Sequence, residues 1–203
     1  MFDIPTLIAA IIAFLVAITI HECAHAIVAN WLGDPTAKFE GRISLNPLRH
    51  LDPMGTILLF LVRFGWGKPV PVNPQNLRSP LRDQALISLA GPVSNLLLAM
   101  LLVMLIKYGL VPTGGILSTI FFFTISLNIA LMVFNLLPIP PLDGSKVLFL
   151  FLGQKYAYIS DWLEDNGPLV LFGLIIVSNF FGLPILQTFI TRAVDFVLAA
   201  LYL

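Results

Sequence analysis

Two histidines and a glutamate stand in a pattern that can bind a metal ion and activate water. His21 and His25 are four residues apart in an apolar, helix-forming stretch, so both imidazoles lie on one helix face. Glu22 is adjacent, where its carboxylate can take a proton from a metal-bound water and deliver it to a leaving amine. The single cysteine, Cys23, offers no cysteine cluster, so the ligands must be imidazole and carboxylate. The pattern predicts zinc-dependent hydrolysis.

The surroundings of this motif favour chemistry over a solvated surface. On a soluble helix, the same spacing is often only part of a charged face. Here the motif continues an apolar stretch, where a charged group costs about 2–3 kcal/mol and usually faces a cavity or a partner. Catalytic zinc takes three protein ligands, so one more side chain must converge on the pair. Asp143 follows a long apolar stretch and is the leading candidate, although an Asp-Gly turn that ends a helix also explains it.

The composition is that of a membrane protein. Of the 203 residues, 58% are hydrophobic and 11% are charged, so most of the surface must contact the lipid bilayer. Acidic and basic residues number 11 each, which leaves no basic face for nucleic acid. We predict an all-α polytopic membrane protein in which residues 1–203 form one domain, with a core at 5–150 and C-terminal helices at 166–203. The sequence does not set the oligomeric state.

Apolar stretches of about 20 residues predict about four to six membrane helices. The predicted spans are 4–32, 85–106, 116–137, 168–180 and 184–203. The last of these contains Arg192 and Asp195, so it either crosses the bilayer or lies at its surface. Gly91 and Pro92 predict a kink and close helix packing within the second span. An acidic loop is predicted at 161–165.

The segment between the first two spans is predicted to be largely irregular. Residues 34–51 are polar and predict a loop with a short hairpin. Residues 52–64 predict an apolar helix of roughly 20 Å, which is too short to cross a bilayer and is therefore expected to be re-entrant. Residues 65–74 contain alternating prolines, which favour an extended loop.

The basic residues orient the chain in the membrane. Seven of the 11 lie between the first two spans. They are Lys38, Arg42, Arg49, Arg63, Lys68, Arg78 and Arg82. Positive residues favour the cytoplasmic side. Because a re-entrant helix does not change sides, Asp143 then emerges on the side where the first helix ends. We therefore predict that the site faces the cytoplasm.

Two motifs together resemble the site-2 protease family of intramembrane zinc metalloproteases. HECAH at 21–25 meets its H-E-x-x-H pattern, and NLLPIPPLDG at 135–144 meets its N-x-x-P-x-P-x-L-D-G pattern. The resemblance extends over 21–146 and is to short bacterial-type members without a PDZ or CBS domain. It implies one catalytic Zn²⁺, Asp143 as the third ligand, and Asn135 as a group that holds the substrate or the developing oxyanion. It also implies membrane-spanning protein substrates and a bacterial plasma membrane.

The proline-containing run after the short helix is the predicted substrate-binding segment. A membrane helix must be partly unwound before cleavage, because its carbonyls are bonded within the helix. An extended edge can bind the unwound strand by strand addition. The residues of this edge are Lys68, Pro69, Val70, Pro71, Val72 and Asn73. The competing interpretation is a plain structural loop.

Other functions are compatible with part of the pattern. In a zinc or proton-coupled transporter, intramembrane His and Asp mark an ion path, but the ligands would be spread along it. A prenyl-protein endopeptidase would use a later glutamate as third ligand, and Glu164 is the one available. His50 is either a further ligand, a proton carrier or a structural loop histidine. Asn95 and Gly91 are expected to be helix-packing residues.

Overall fold

Helices make up most of this chain. The computed structural model describes residues 3–62, 65–112, 114–180 and 185–202. Its helices are α1 (Ile4–Trp31), α2 (Thr36–Phe39), α3 (Pro53–Val62), α4 (Pro80–Lys107), α5 (Gly115–Asn135), α6 (Gly144–Leu152), α7 (Ala157–Phe180) and α8 (Ile185–Tyr202). The described ranges contain no strand, and an isolated antiparallel bridge pairs Leu51 with Gly67. Residues 64, 184 and 203, where predicted elements begin or end, lie outside the described residues.

Within the described ranges, three helices are long and apolar enough to cross a bilayer. They are α1, α4 and α5, with 28, 28 and 21 residues. At about 1.5 Å per residue each exceeds the ~30 Å hydrocarbon core, whereas the 10 residues of α3 reach only about 15 Å. The all-α polytopic membrane architecture is confirmed, with three of the four to six expected spans identified among the described residues. The C-terminal spans and the re-entrant course of α3 stay predictions.

Small residues let the three spans pack closely. Ala9, Ala13 and Ala17 recur every fourth position of α1, and all three are completely buried. Without bulky side chains on this face, neighbouring backbones can approach, which is the usual basis of helix association in lipid. The helices α1, α4 and α5 all contact one another. Ile125 and Ile129 of α5 pack into a buried cluster with Ala99 and Val103 of α4.

The segment 34–51 forms short helical turns instead of the predicted hairpin. It contains α2 and a 3-10 turn at Pro47–Arg49. Local side chains satisfy the backbone here, because Asn46 Oδ1 accepts a hydrogen bond from the Leu48 amide at 3.1 Å. Such capping bonds offer the chain an alternative to strand pairing. The Leu51–Gly67 bridge instead brings the two ends of the α3 region together.

The buried carboxylate of Asp34, just after α1, binds the far end of the loop at 65–76. Asp34 accepts hydrogen bonds from the Asn73 amide at 2.7 Å, the Asn76 side chain at 2.8 Å and the Thr36 hydroxyl at 2.5 Å. Burial acts to raise the pKa of Asp34, but these hydrogen bonds outweigh it and lower the pKa below its usual value. The far end of the 65–76 loop is therefore fixed in position.

The prediction of an acidic loop at 161–165 is wrong, because this segment belongs to α7. The helix begins at Ala157 and continues through Gly167 and Pro168. Glu164 of this helix pairs with Lys146 of α6 at 2.5 Å. Gly167 packs directly on Pro140, since a Cβ there would lie 2.8 Å from the proline ring. These contacts hold α7 against the segment that leads to Asp143.

Candidate metal centre

The structure brings His21, His25 and Asp143 together at one buried point. α1 presents both imidazoles on one face, and Asp143 stands immediately before α6. The two Nε2 atoms lie 3.2 and 3.4 Å from Asp143 Oδ2, and the three potential ligand atoms are all within 4.8 Å of one another. The histidines are only 3% and 7% exposed. This set could hold a single metal ion.

Hydrogen bonds fix the orientation of both imidazoles. His21 Nδ1 lies 2.6 Å from Asn95 Oδ1, and His25 Nδ1 lies 2.6 Å from the Ile87 carbonyl oxygen. A carbonyl oxygen can only accept, so each Nδ1 carries the proton and donates it. When the ring is neutral, its Nε2 presents a lone pair toward Asp143. Donation from the second ring nitrogen is the usual support for a metal-bound histidine.

The donor set fits zinc. Asp143 Oδ2 is buried and has no hydrogen-bond partner among the described residues. Two imidazole lone pairs and a carboxylate oxygen repel one another unless a cation lies between them. Two ligands each about 2.0–2.1 Å from a tetrahedral zinc are separated by about 3.3 Å, which agrees with the 3.2 and 3.4 Å observed. The residues present therefore fit a mononuclear Zn²⁺ site.

Asn95 links the candidate metal centre to two other helices. Its Nδ2 donates to the Ala17 carbonyl oxygen at 3.2 Å and to Asn128 Oδ1 at 2.7 Å. Asn128 Nδ2 in turn donates to the Thr124 carbonyl oxygen at 2.7 Å. Asn95 therefore packs helices, as expected, but it also orients His21, which the sequence analysis missed. The sequence did contain an indication of this role, because a polar side chain inside an apolar span usually bonds to a functional partner.

We predict that Asn95→Ala weakens zinc binding by about 10- to 100-fold, because His21 loses the acceptor that fixes its ring. Zinc affinity, measured by competition with a chelator, checks this. The matched control is Asn166→Ala, since Asn166 is only partly buried and bonds only to the Trp162 carbonyl among the described contacts. Equal affinity in Asn95→Ala and the unaltered protein would show that His21 needs no such support.

Gly91 provides the space in which the two imidazoles lie. A Cβ at this position would lie 2.5 Å from His25 Nε2 and 2.6 Å from His21 Cε1. Contacts this short require the rings to move, and both rings are held by their Nδ1 hydrogen bonds. The close approach predicted for Gly91 is thus confirmed, and the atoms that approach are those of the candidate metal ligands. Pro92 lies within α4, as predicted.

Gly91→Ala should displace both rings and strongly reduce zinc binding, with an overpacking cost of about 1–3 kcal/mol. Zinc content and the thermal midpoint of the purified protein measure these effects. Gly173→Ala in α7 is the matched control, because a Cβ there meets no heavy atom within 4 Å and alanine favours a helix. Retention of stoichiometric zinc in Gly91→Ala would contradict the assigned geometry.

Glu22 and Asn135 line a cavity that opens onto the three candidate ligands. The cavity has a volume of about 790 Å³ and is mostly apolar, with α7 contributing one wall through Leu171 and Phe172. Glu22 is 8% exposed. Asn135 Nδ2 donates to the Leu131 carbonyl oxygen at 3.0 Å, which leaves its second N–H for another acceptor. Both predicted catalytic residues are thus placed beside the candidate metal centre.

The predicted substrate-binding run borders the same cavity. Pro69, Val70 and Val72 line it, as does Trp66 before them, whereas Lys68, Pro71 and Asn73 are outside the lining set. Pro69 and Val70 are adjacent in the chain, and Val72 follows two residues later. The structure brings half of the predicted run to the cavity.

His50 lies in the loop before α3, where its ring contacts the backbone and its Nδ1 has no hydrogen-bond partner among the described residues. It is fully buried, and its Nε2 lies 2.7 Å from the Ser44 carbonyl oxygen. Its own carbonyl accepts a hydrogen bond from the Lys68 amide at 2.8 Å. It is not part of the ligand group formed by His21, His25 and Asp143 in the described chain.

A helical membrane protein with two histidines and an aspartate around one buried point, and a glutamate beside them, has the architecture of a membrane metallopeptidase. A family model described as peptidase family M50 matches residues 106–161. The chain is also 31% identical over 150 residues to "Putative zinc metalloprotease MJ0611" of Methanocaldococcus jannaschii, covering 72% of each chain. This chain belongs to peptidase family M50. The resemblance to site-2 proteases is confirmed.

Two further relatives are also named as zinc metalloproteases. The chain is 47% identical over 145 residues to "Putative zinc metalloprotease YwhC" of Bacillus subtilis, which covers 68% of this chain and 66% of that protein. It is 36% identical over 142 residues to "Putative zinc metalloprotease Rip2" of Mycobacterium tuberculosis, which covers 68% of this chain and 55% of that protein. The matches thus span between about half and two thirds of these relatives. No solved structure matches the chain.

Proposed function

We propose that this chain is an intramembrane zinc metalloendopeptidase that cuts peptide bonds in or near the transmembrane segments of membrane proteins. The observation that carries the proposal is the buried Asp143 Oδ2, which faces two histidine Nε2 atoms and has no hydrogen-bond partner among the described residues. His21, His25 and Asp143 are the proposed ligands. Their position beside helices that are long and apolar enough to span a membrane supports a reaction at membrane depth.

The proposed mechanism assigns each remaining group one task. Zinc held by these ligands would supply Lewis-acid chemistry, which lowers the pKa of water to about 7. Glu22 accepts a proton from the attacking water and then donates it to the leaving amine. The free N–H of Asn135 holds the substrate carbonyl oxygen as negative charge develops on it. The apolar cavity walls exclude bulk water, which strengthens both interactions.

The 68–73 run is proposed to bind the unwound substrate by strand addition. Support comes from Val70 and Val72, which line the cavity beside the candidate metal centre. Val72→Pro removes one backbone donor from this edge without touching the ligands. It should raise KM with little change in zinc content, and an unchanged KM would favour a plain structural loop.

The test is zinc analysis combined with a cleavage assay on the purified protein. The protein is reconstituted with a panel of single-span membrane proteins, and new termini are located by mass spectrometry. We expect one zinc per chain and cleavage within or next to the spans, both abolished by a chelator. Zinc flux across proteoliposomes without cleavage of any substrate would instead support the transporter hypothesis.

The proposed location is a bacterial plasma membrane, with the site toward the cytoplasm and 34–82 wholly on that side. Seven basic residues in this segment and the short α3 support it. We predict that Lys38→Cys and Arg78→Cys, each in a Cys23→Ala background, react with an impermeant thiol reagent from the same side. Labelling from opposite sides would mean that α3 crosses and would refute this topology.

A further inference from the structure

A buried arginine lies between Glu22 and the 68–73 run. Arg42 is only 2% exposed. Its Nη1 donates to the Pro69 carbonyl oxygen at 2.8 Å, and its Nη2 donates to the Lys68 carbonyl oxygen. The same Nη2 lies 4.0 Å from Glu22 Oε2. One guanidinium group therefore contacts both the proposed proton shuttle and the proposed substrate-binding run.

A buried guanidinium is costly unless its donors and its charge are matched. Removal of a cation from water costs several kcal/mol, which only close partners can offset. The planar fork of arginine presents parallel donors, and this suits two successive carbonyl oxygens better than the single point charge of lysine. Two backbone carbonyls accept from the Nη atoms of Arg42 and one carboxylate faces its charge, while its buried Nε has no hydrogen-bond partner among the described residues. The burial of a charged group at this cost is expected where the protein needs that group to position its neighbours, and not only to stabilise the fold.

We infer that Arg42 is a positioning residue that couples the placement of Glu22 to the placement of the substrate-binding run. The inference rests on the proposed function. Lys68 and Pro69 directly precede Val70, which lines the cavity, so the Arg42 hydrogen bonds set where the binding edge begins. Because one nitrogen faces both partners, a shift of the run moves the guanidinium and with it the neighbouring carboxylate. Substrate binding and alignment of the shuttle are thus linked.

The kinetic test uses Arg42→Gln and Arg42→Lys. Both should retain one zinc per chain, since Arg42 is not a ligand. Arg42→Gln should raise KM and lower kcat by about 10- to 100-fold, because the shuttle and the binding edge lose their common support. The ammonium of lysine is a point charge without the planar fork that spans two successive carbonyls, so Arg42→Lys should also lose kcat. Arg49→Gln is the matched control, because Arg49 bonds only weakly to Gly41 among the described contacts, at 3.4 Å.

A second measurement does not depend on activity. Thermal midpoints are compared for the unaltered protein, Glu22→Gln, Arg42→Gln and the double variant. Each single change leaves the other charge buried without its partner, so the double variant should lose less stability than the two single losses combined. Glu22→Gln combined with Arg49→Gln should show additive losses.

Three outcomes would overturn the inference. They are additive losses for Arg42 and Glu22, an unchanged kcat with only KM raised in Arg42→Gln, and unaltered kinetics in Arg42→Lys. Should Arg42→Gln fail to fold, Arg42→Lys alone decides the kinetic question. A zinc-loaded protein that cleaves no substrate would refute the proposed function, and the stability comparison would still decide whether Arg42 and Glu22 are coupled.

Discussion

Replacement of Glu22 by glutamine should abolish peptide-bond cleavage and leave one zinc per chain. The amide keeps the shape of the carboxylate but cannot accept the proton of the attacking water. Loss of such a general acid–base group lowers rates by about 10²- to 10⁴-fold. Because His21, His25 and Asp143 are unchanged, the ligand set stays complete. The effect should therefore appear in kcat and not in zinc content.

The matched control for this variant is Glu40→Gln. Glu40 is an exposed glutamate that lies outside the cavity lining. Both variants are compared by single-turnover cleavage and by elemental analysis of the same preparations. Cleavage by Glu22→Gln at a near-unaltered rate would require a different proton shuttle. Loss of zinc in Glu22→Gln would instead place Glu22 among the ligands.

Asp143→Ala should lose both zinc and activity. Two histidines alone form an incomplete catalytic site, and this change removes the carboxylate oxygen that lies 3.2 and 3.4 Å from their Nε2 atoms. The loss should appear first in zinc content under chelator competition and then, as a consequence, in cleavage. Full zinc content in Asp143→Ala would place the third ligand elsewhere.

The control for Asp143→Ala is Asp161→Ala. Asp161 is exposed on α7 and should affect neither zinc nor activity. Glu164 is another acidic residue of α7, but it is a poorer control than Asp161. Its ion pair with Lys146 joins α7 to a residue that lines the cavity. A change at Glu164 can thus alter the cavity without touching the metal. Zinc loss in Asp161→Ala would indicate a general effect of removing acidic residues.

The sequence revealed the groups whose roles depend on local spacing. His21 and His25 share a helix face through their four-residue interval, and the lengths of α1, α4 and α5 follow from uninterrupted apolar stretches. Asp143 was the leading candidate from its position after an apolar stretch, and the family resemblance strengthened that choice, because its approach to the histidines depends on how distant segments pack. The sequence was sufficient to predict the features that depend on residue spacing within a single helix.

Residues that act across long sequence separations were missed. Asn95 supports His21 from 74 positions away, and Arg42 reaches carbonyls 26 and 27 positions away. In sequence, Arg42 is one basic residue among seven in a loop, so it contributed only to the topology argument. From the sequence alone, Asp34 was likewise assigned to a polar loop. Burial distinguishes these side chains from their solvated neighbours, and burial follows from the tertiary fold.

The hydrogen-bond chain from His21 through Asn95 to Asn128 gives the lipid a means to influence the metal. It connects α1, α4 and α5, so a change in their mutual tilt changes the support of a ligand. Helices tilt to match the thickness of the surrounding hydrocarbon layer. We therefore expect zinc affinity to vary with acyl-chain length. By thermodynamic reciprocity, zinc occupancy then shifts the bilayer thickness in which the bundle is most stable.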